Sequence, residues 1–238
     1  MIWKRKSAVS APPAETAVEE FLTPGAEKIY IFFAGGLTHP ARKKAAAGNA
    51  PRYEFFKAAE ILDASKLFVR DPAQVWYQSG LPGIGDSAYA VGDYLEKKIE
   101  ESGASQVRFV GNCMGGYAAL LFAAMLRRDS AIAFVPTVFL GENLRREHDD
   151  RRWPAMVRDL YQLAPDAETY DLRTFIASRY PELDADVYIS RQQPLDVIHA
   201  GKLEGFENIR IHDYPDAAPH AVALWLRDQG KLADILGR

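Results

Sequence analysis

The chain contains one cysteine in 238 residues, Cys113. A single cysteine cannot close an internal disulfide and cannot build a cysteine-based zinc cluster, which excludes both classes of small stapled fold and fits a reducing compartment. Positive charge is not in surplus either. Lys and Arg number 29 against 32 Asp and Glu, for a net charge of −3, so neither nucleic acid nor an anionic membrane is an expected partner. A long apolar run is also missing. The longest, Tyr117 to Leu126, ends in Arg127-Arg128, which suits a buried core helix and is too short for a membrane span. The basic start, Met1-Ile2-Trp3-Lys4-Arg5-Lys6, runs into Ser7-Ala8-Val9-Ser10-Ala11-Pro12-Pro13 without the apolar core of a signal peptide. The expected location is therefore cytoplasmic. No internal repeat or low-complexity segment is visible.

What is present is the composition of a protein with a real interior: 48% hydrophobic, 26% charged and 11% aromatic. The length suits one domain, residues 1–238, large enough to bury a substantial core. Short apolar runs alternate with amphipathic ones. Strands are expected at 28–34, 66–69, 106–110, 131–140, 185–190 and 208–211. Helices are expected at 52–63, from Asp86 or Ser87 to about Gly103, from the glycines after Cys113 to Arg128, from about Asp196, and from His220 to Leu236. Residues 141–183 break the alternation with a charge run, Arg145 to Arg152, and two amphipathic segments, and are expected to form a lid-like helical insertion. Strands separated by helices imply an α/β fold, a mainly parallel sheet with helices on both faces. Its ligand site should lie at the carboxyl ends of the strands.

One segment at such an end carries chemistry: Gly111-Asn112-Cys113-Met114-Gly115-Gly116, between an apolar strand and an apolar helix. Glycines two before and two after Cys113 permit a sharp strand-to-helix turn in which side chains would collide. The turn puts Cys113 at a helix N-terminus, where the dipole and free N–H groups favour a thiolate. The competing reading is a buried cysteine acting as a small hydrophobe.

This elbow, with a histidine late in the chain, resembles the α/β-hydrolase superfamily over about residues 25–236. The cysteine in the nucleophile position is similar to the Gly-x-Cys-x-Gly-Gly elbows of dienelactone hydrolases and polyhydroxyalkanoate synthases. The resemblance implies the chain order nucleophile, acid, histidine. Of the five histidines, His39 and His148 precede the last strand, His199 lies in a helix, and His212 ends the last strand itself. His220 follows that strand by a loop and is the expected base. The expected acid is Asp196, the first acidic residue after strand 185–190; it could instead cap the helix of His199, leaving Glu142 as the acid. The oxyanion would be held by the amide of Met114 together with that of Gly36 or Leu37, in the Gly35-Gly36-Leu37 turn.

Trp76 and Tyr77 are expected to wall the pocket. Arg70 either brings charge to it or forms a structural ion pair with Asp71. The charge run Arg145 to Arg152 reads as a solvated face, or as a lid contact for an anionic carrier or coenzyme phosphate. The implied activity is hydrolysis of an ester, thioester or lactone through an acyl-cysteine, with no metal or organic cofactor. The substrate would be a small acyl compound, free or linked to a carrier or coenzyme. An acyltransferase or cyclase using the same Cys-His-Asp set is the alternative enzyme, and a non-catalytic binding protein on the same fold is the alternative of another class.

Overall fold

The computed structural model describes residues 17–37, 53–128, 130–164 and 167–237. His39, the expected helix start at Arg52 and the basic amino-terminal segment lie outside the described residues.

The strands are β1 (Val18–Phe21), β2 (Lys28–Phe33), β3 (Ser65–Val69), β4 (Gln106–Asn112), β5 (Ala131–Phe134), β6 (Ala185–Ile189) and β7 (Ile209–Asp213). They form one seven-stranded sheet in the order β1-β3-β2-β4-β5-β6-β7. All pairs are parallel except β1 with β3. Strands β2, β3, β5 and β6 are largely apolar and buried, which is why they read as apolar runs, whereas β7 at the far edge is only partly buried. β1, whose Glu19 and Glu20 alternate with nothing apolar enough to mark a core face, is an edge strand absent from the sequence reading. β5 is shorter than expected. It stops at Phe134 because Val135 takes φ 41°, a left-handed value unusual for a β-branched residue, and Pro136 follows.

The helices are α1 (Phe56–Ala59), α2 (Ala88–Ser102), α3 (Met114–Leu126), α4 (Glu142–Glu147), α5 (Pro154–Leu163), α6 (Leu172–Arg179), α7 (Pro194–Gly201), α8 (Val222–Asp228) and α9 (Leu232–Gly237). Ser87 caps α2 by accepting the Ala90 amide. The expected helix at 52–63 contracts to the single turn α1. The expected closing helix divides into α8 and α9 at Gly230, whose φ is 70°. α3 is buried along nearly its whole length, the reason its apolar run shows no amphipathic stripe.

The 141–183 segment is helical, but much of it belongs to the core. Leu172, Phe175 and Ile176 of α6 are buried in the same apolar cluster as α3. Leu172 donates its amide to Val138, and Leu140 donates to Tyr170. A buried polar trio, Gln78, Tyr117 and Thr169, ties this segment to α3: the Tyr117 hydroxyl bonds Thr169 O at 2.5 Å and accepts Gln78 Nε2 at 3.0 Å. The stretch from Asp150 to Met156 reaches the site described next.

Candidate active site

The turn from β4 into α3 is as sharp as its glycines allow. Cys113 sits at φ 55° and ψ −113°, a strained backbone for a residue with a side chain. A Cβ on Gly111 would lie 2.0 Å from Gly115 O, and one on Gly115 would lie 2.2 Å from Phe33 O in β2. Both are backbone contacts that cannot give way, so the two glycines are steric requirements of the elbow. Cys113 donates its amide to Phe134 O at 2.8 Å and is 9% exposed.

His220 precedes α8, at φ 58°. Its Nδ1 donates to Asp196, at 2.8 Å from Oδ2 and 3.1 Å from Oδ1. Its Nε2 is buried without a hydrogen-bond partner among the described residues; the Cys113 side chain is among the groups that act on the charge of the ring. Burial opposes the charge on His220, but the hydrogen bonds and negative charges of Asp196 and Cys113 outweigh it and push the imidazolium up to about 10. Of the expected set, His220 and Asp196 are in direct contact, and Cys113 acts on the charge of the same imidazole. Asp196 is 1% exposed and is not the helix cap: Gln193 takes that place by accepting the Leu195 amide. The alternative acid, Glu142, begins α4 and makes a surface pair with Arg146.

Of the two amides expected beside that of Met114, the hydrogen bonds of the turn leave one free. Gly35 donates to Glu54 Oε2 at 2.7 Å, and Leu37 donates to Gln74 Oε1 at 3.1 Å. The amide of Gly36 has no partner among the described residues, nor has that of Met114 at the first turn of α3. Met156 of α5 closes over Gly36: its Cε would be 3.0 Å from a Cβ placed there.

Glu54 was not singled out by sequence reasoning. Its second oxygen accepts Asn112 Nδ2 at 3.3 Å, so one carboxylate joins the Gly35 turn to the residue before Cys113. Burial raises its pKa above the usual carboxylate value; the bonds from Gly35 and Asn112 and the charge of His220 oppose this without cancelling it.

Of the expected pocket residues, Trp76 is fully buried and packs edge-on against Trp153 at 5.9 Å between ring centroids, and Trp153 in turn lies 5.8 Å from the His220 ring. Tyr77 is also fully buried, and its hydroxyl donates to Ala34 O at 2.9 Å with Val69 O at 3.2 Å, so it braces the ends of β2 and β3. Arg70 is buried beside β1, its amide donating to Ala17 O. Asp71 accepts the amides of Ala73, Val75 and Tyr77 and organises the loop after β3.

The charge run is the main correction to the sequence reading. Arg146, Asp149 and Arg151 are exposed, but Arg145 and Asp150 are buried and Arg152 is largely covered. These three side chains are inside because their charges are paired, with Asp196 balancing the second arginine. Asp150 accepts Arg152 Nε at 3.0 Å, Arg152 Nη2 at 3.1 Å and Arg145 Nη1 at 3.2 Å. His199 completes the cluster: Val138 N donates to its Nδ1 at 3.0 Å, which leaves Nε2 as the protonated nitrogen donating to Asp150 at 3.0 Å. Burial pushes His199 down to about 4, the bond to Asp150 notwithstanding. Arg152 Nη1 then reaches Asp196 Oδ1 at 2.8 Å.

No family model matches the chain, and no curated protein matches it in sequence. Solved structures do match it in shape. The capsule O-acetyltransferase of Neisseria meningitidis serogroup A aligns over 92% of this chain and 91% of its own, with a TM-score of 0.65 at 14% identity. The fluorophosphonate-binding serine hydrolase F of Staphylococcus aureus covers 92% and 86% at a TM-score of 0.58 and 10% identity. The S-formylglutathione hydrolase of the same organism covers 92% and 86% at 0.56 and 13%. With its mostly parallel seven-stranded sheet, its strand-to-helix elbow and these neighbours, the chain has the α/β-hydrolase fold.

Proposed function

We propose that the chain is an acyl-handling enzyme in which Cys113 forms an acyl-cysteine. The observation that carries this reading is the sharp Cys113 elbow at the start of α3 together with His220, whose Nδ1 is held by the buried Asp196 carboxylate. Sγ of Cys113 attacks the carbonyl carbon of an ester, thioester or lactone, forming a C–S bond. The oxyanion is held by the amides of Met114 and Gly36, a donor pair that stabilises charge only where it develops. Collapse breaks the bond to the leaving group, which takes the proton of His220 Nε2. An acceptor then gives a proton back to Nε2 and attacks the thioester, releasing the acyl product and Cys113.

Water and an alcohol are both chemically competent acceptors. Hydrolysis is the simpler outcome, and transfer to a hydroxyl is favoured by one finding, the O-acetyltransferase among the structural neighbours. The donor would be a small acyl compound, free or attached to a carrier or coenzyme. Turnover of p-nitrophenyl acetate and of an acetyl thioester, with product analysis in the presence and absence of polyol acceptors, tests both readings. The proposal expects turnover that disappears in Cys113→Ala. Absence of turnover and of acylation across acyl donors of different chain length would leave a binding protein on a hydrolase fold.

A further inference from the structure

We propose that Arg152 is a positioning residue of this centre: its guanidinium, locked onto Asp150, holds the buried Asp196 carboxylate in the orientation that receives His220 Nδ1. The inference rests on the acyl-cysteine reading above and adds a member from a different part of the chain.

The geometry is a fork bridging two carboxylates. Arg152 places Nε and Nη2 on Asp150 and Nη1 on Asp196 at 2.8 Å, an arrangement that lysine cannot copy. Asp150 is fixed from its other sides by Arg145 and by His199, and Arg145 Nη2 also holds Arg152 O at 2.7 Å. The Arg152 guanidinium stacks on Trp153 at 4.6 Å, the ring that faces His220. Burial works against the charge on Arg152, but the hydrogen bonds and charges of Asp150 and Asp196 outweigh it and raise the guanidinium.

The groups facing His220 are Cys113 from the elbow, Asp196 from α7 and Glu54 from the segment before α1. Arg152 is the cation behind Asp196, with Asp150, Arg145 and the neutral His199 beyond it. Loss of this charge and of the hold on Asp196 weakens the pairing of Cys113 with His220, which shifts the pH dependence of thiol reactivity upward.

The experiment is the pH dependence of Cys113 alkylation by iodoacetamide, read by intact mass, in the full chain. With one cysteine in the sequence, there is no background thiol. In Arg152→Met the midpoint should rise by roughly half a pH unit or more, and acyl turnover should fall about 10- to 100-fold, as for other outer partners of a histidine–carboxylate site. Arg151→Met, which removes an equal charge from an exposed side chain, should leave the midpoint in place. Arg152→Lys keeps the charge without the fork: its midpoint should stay near that of the parent while turnover still drops about tenfold. A folded Arg152→Met with an unmoved midpoint overturns the proposal. If that variant does not fold, parental turnover in Arg152→Lys overturns it. A parent that never acylates, yet whose alkylation midpoint moves with Arg152, would refute the acyl-cysteine reading and leave Arg152's effect on the pair standing.

Discussion

His199 offers a prediction in which the sign and size come directly from the structure. It is fully buried, stacks on Phe139 with ring centroids 3.9 Å apart, and uses both nitrogens in its neutral form. Its folded value of about 4 lies below the unfolded 6.5. A histidine lowered on folding contributes stability that is present above 6.5 and is lost as pH falls toward 4, because only the unfolded chain takes up the proton. The loss from this one group is about 2 kcal/mol by pH 5 and about 3 kcal/mol by pH 4. Asp150 acts in the same direction at lower pH: burial would raise it, but the bonds from His199 and Arg152 hold it well below the usual carboxylate range. The perturbation is His199→Gln, which can donate to Asp150 but cannot be charged. Urea unfolding followed by tryptophan fluorescence from pH 7.5 to 4.5 measures the effect. The variant should be less stable at pH 7.5, by about 1–3 kcal/mol, through the lost stacking and the imperfect bond to Val138 N. Its stability should then fall less steeply with acid, so that the two curves converge. Parallel curves would refute the reasoning, because they would mean that His199 takes up no extra proton on unfolding.

Three other perturbations test separate parts of the site. Asp196→Asn should reduce turnover by roughly 10³- to 10⁴-fold, since an amide can hold the wrong tautomer of His220; the pH–rate profile should also lose its alkaline arm near 10, because the raised imidazolium value depends on the Asp196 charge. Gly115→Ala should destabilise the fold by about 3 kcal/mol or abolish expression, the new methyl meeting the backbone of Phe33. Glu54→Gln keeps an acceptor for Gly35 but turns a donor toward Asn112, so about a tenfold loss in kcat/KM is expected with substrate binding little changed, read by steady-state kinetics.

Much of this was legible in the chain because the signals are local. β2 and β6 declare themselves as apolar runs because they are largely buried, and the elbow because a side chain at Gly111 would meet Gly115 within the turn and one at Gly115 would meet Phe33 of β2. His220 follows from element order. Asp196 was expected from its place after β6, but that Gln193 and not Asp196 caps α7 is a detail that only the structure supplies. The buried ion cluster was not legible. Arg152 meets Asp196 across 44 residues and His199 meets Asp150 across 49, and nothing in Arg145 to Arg152 distinguishes the charges that turn inward from those that stay in water. Glu54 was hidden for the same reason, its partners Gly35 and Asn112 being 19 and 58 residues away. Tyr77 shows the converse: an aromatic residue beside a predicted pocket whose hydroxyl is fully employed in bracing two strands.

The central claim is that Cys113 carries the acyl group, and intact-protein mass spectrometry after brief exposure to p-nitrophenyl acetate, followed by peptide mapping, tests it most directly. The account predicts a single acetyl adduct on the peptide containing Cys113, released by hydroxylamine and absent in Cys113→Ala. An adduct on another residue, or turnover that survives in Cys113→Ala, would contradict it.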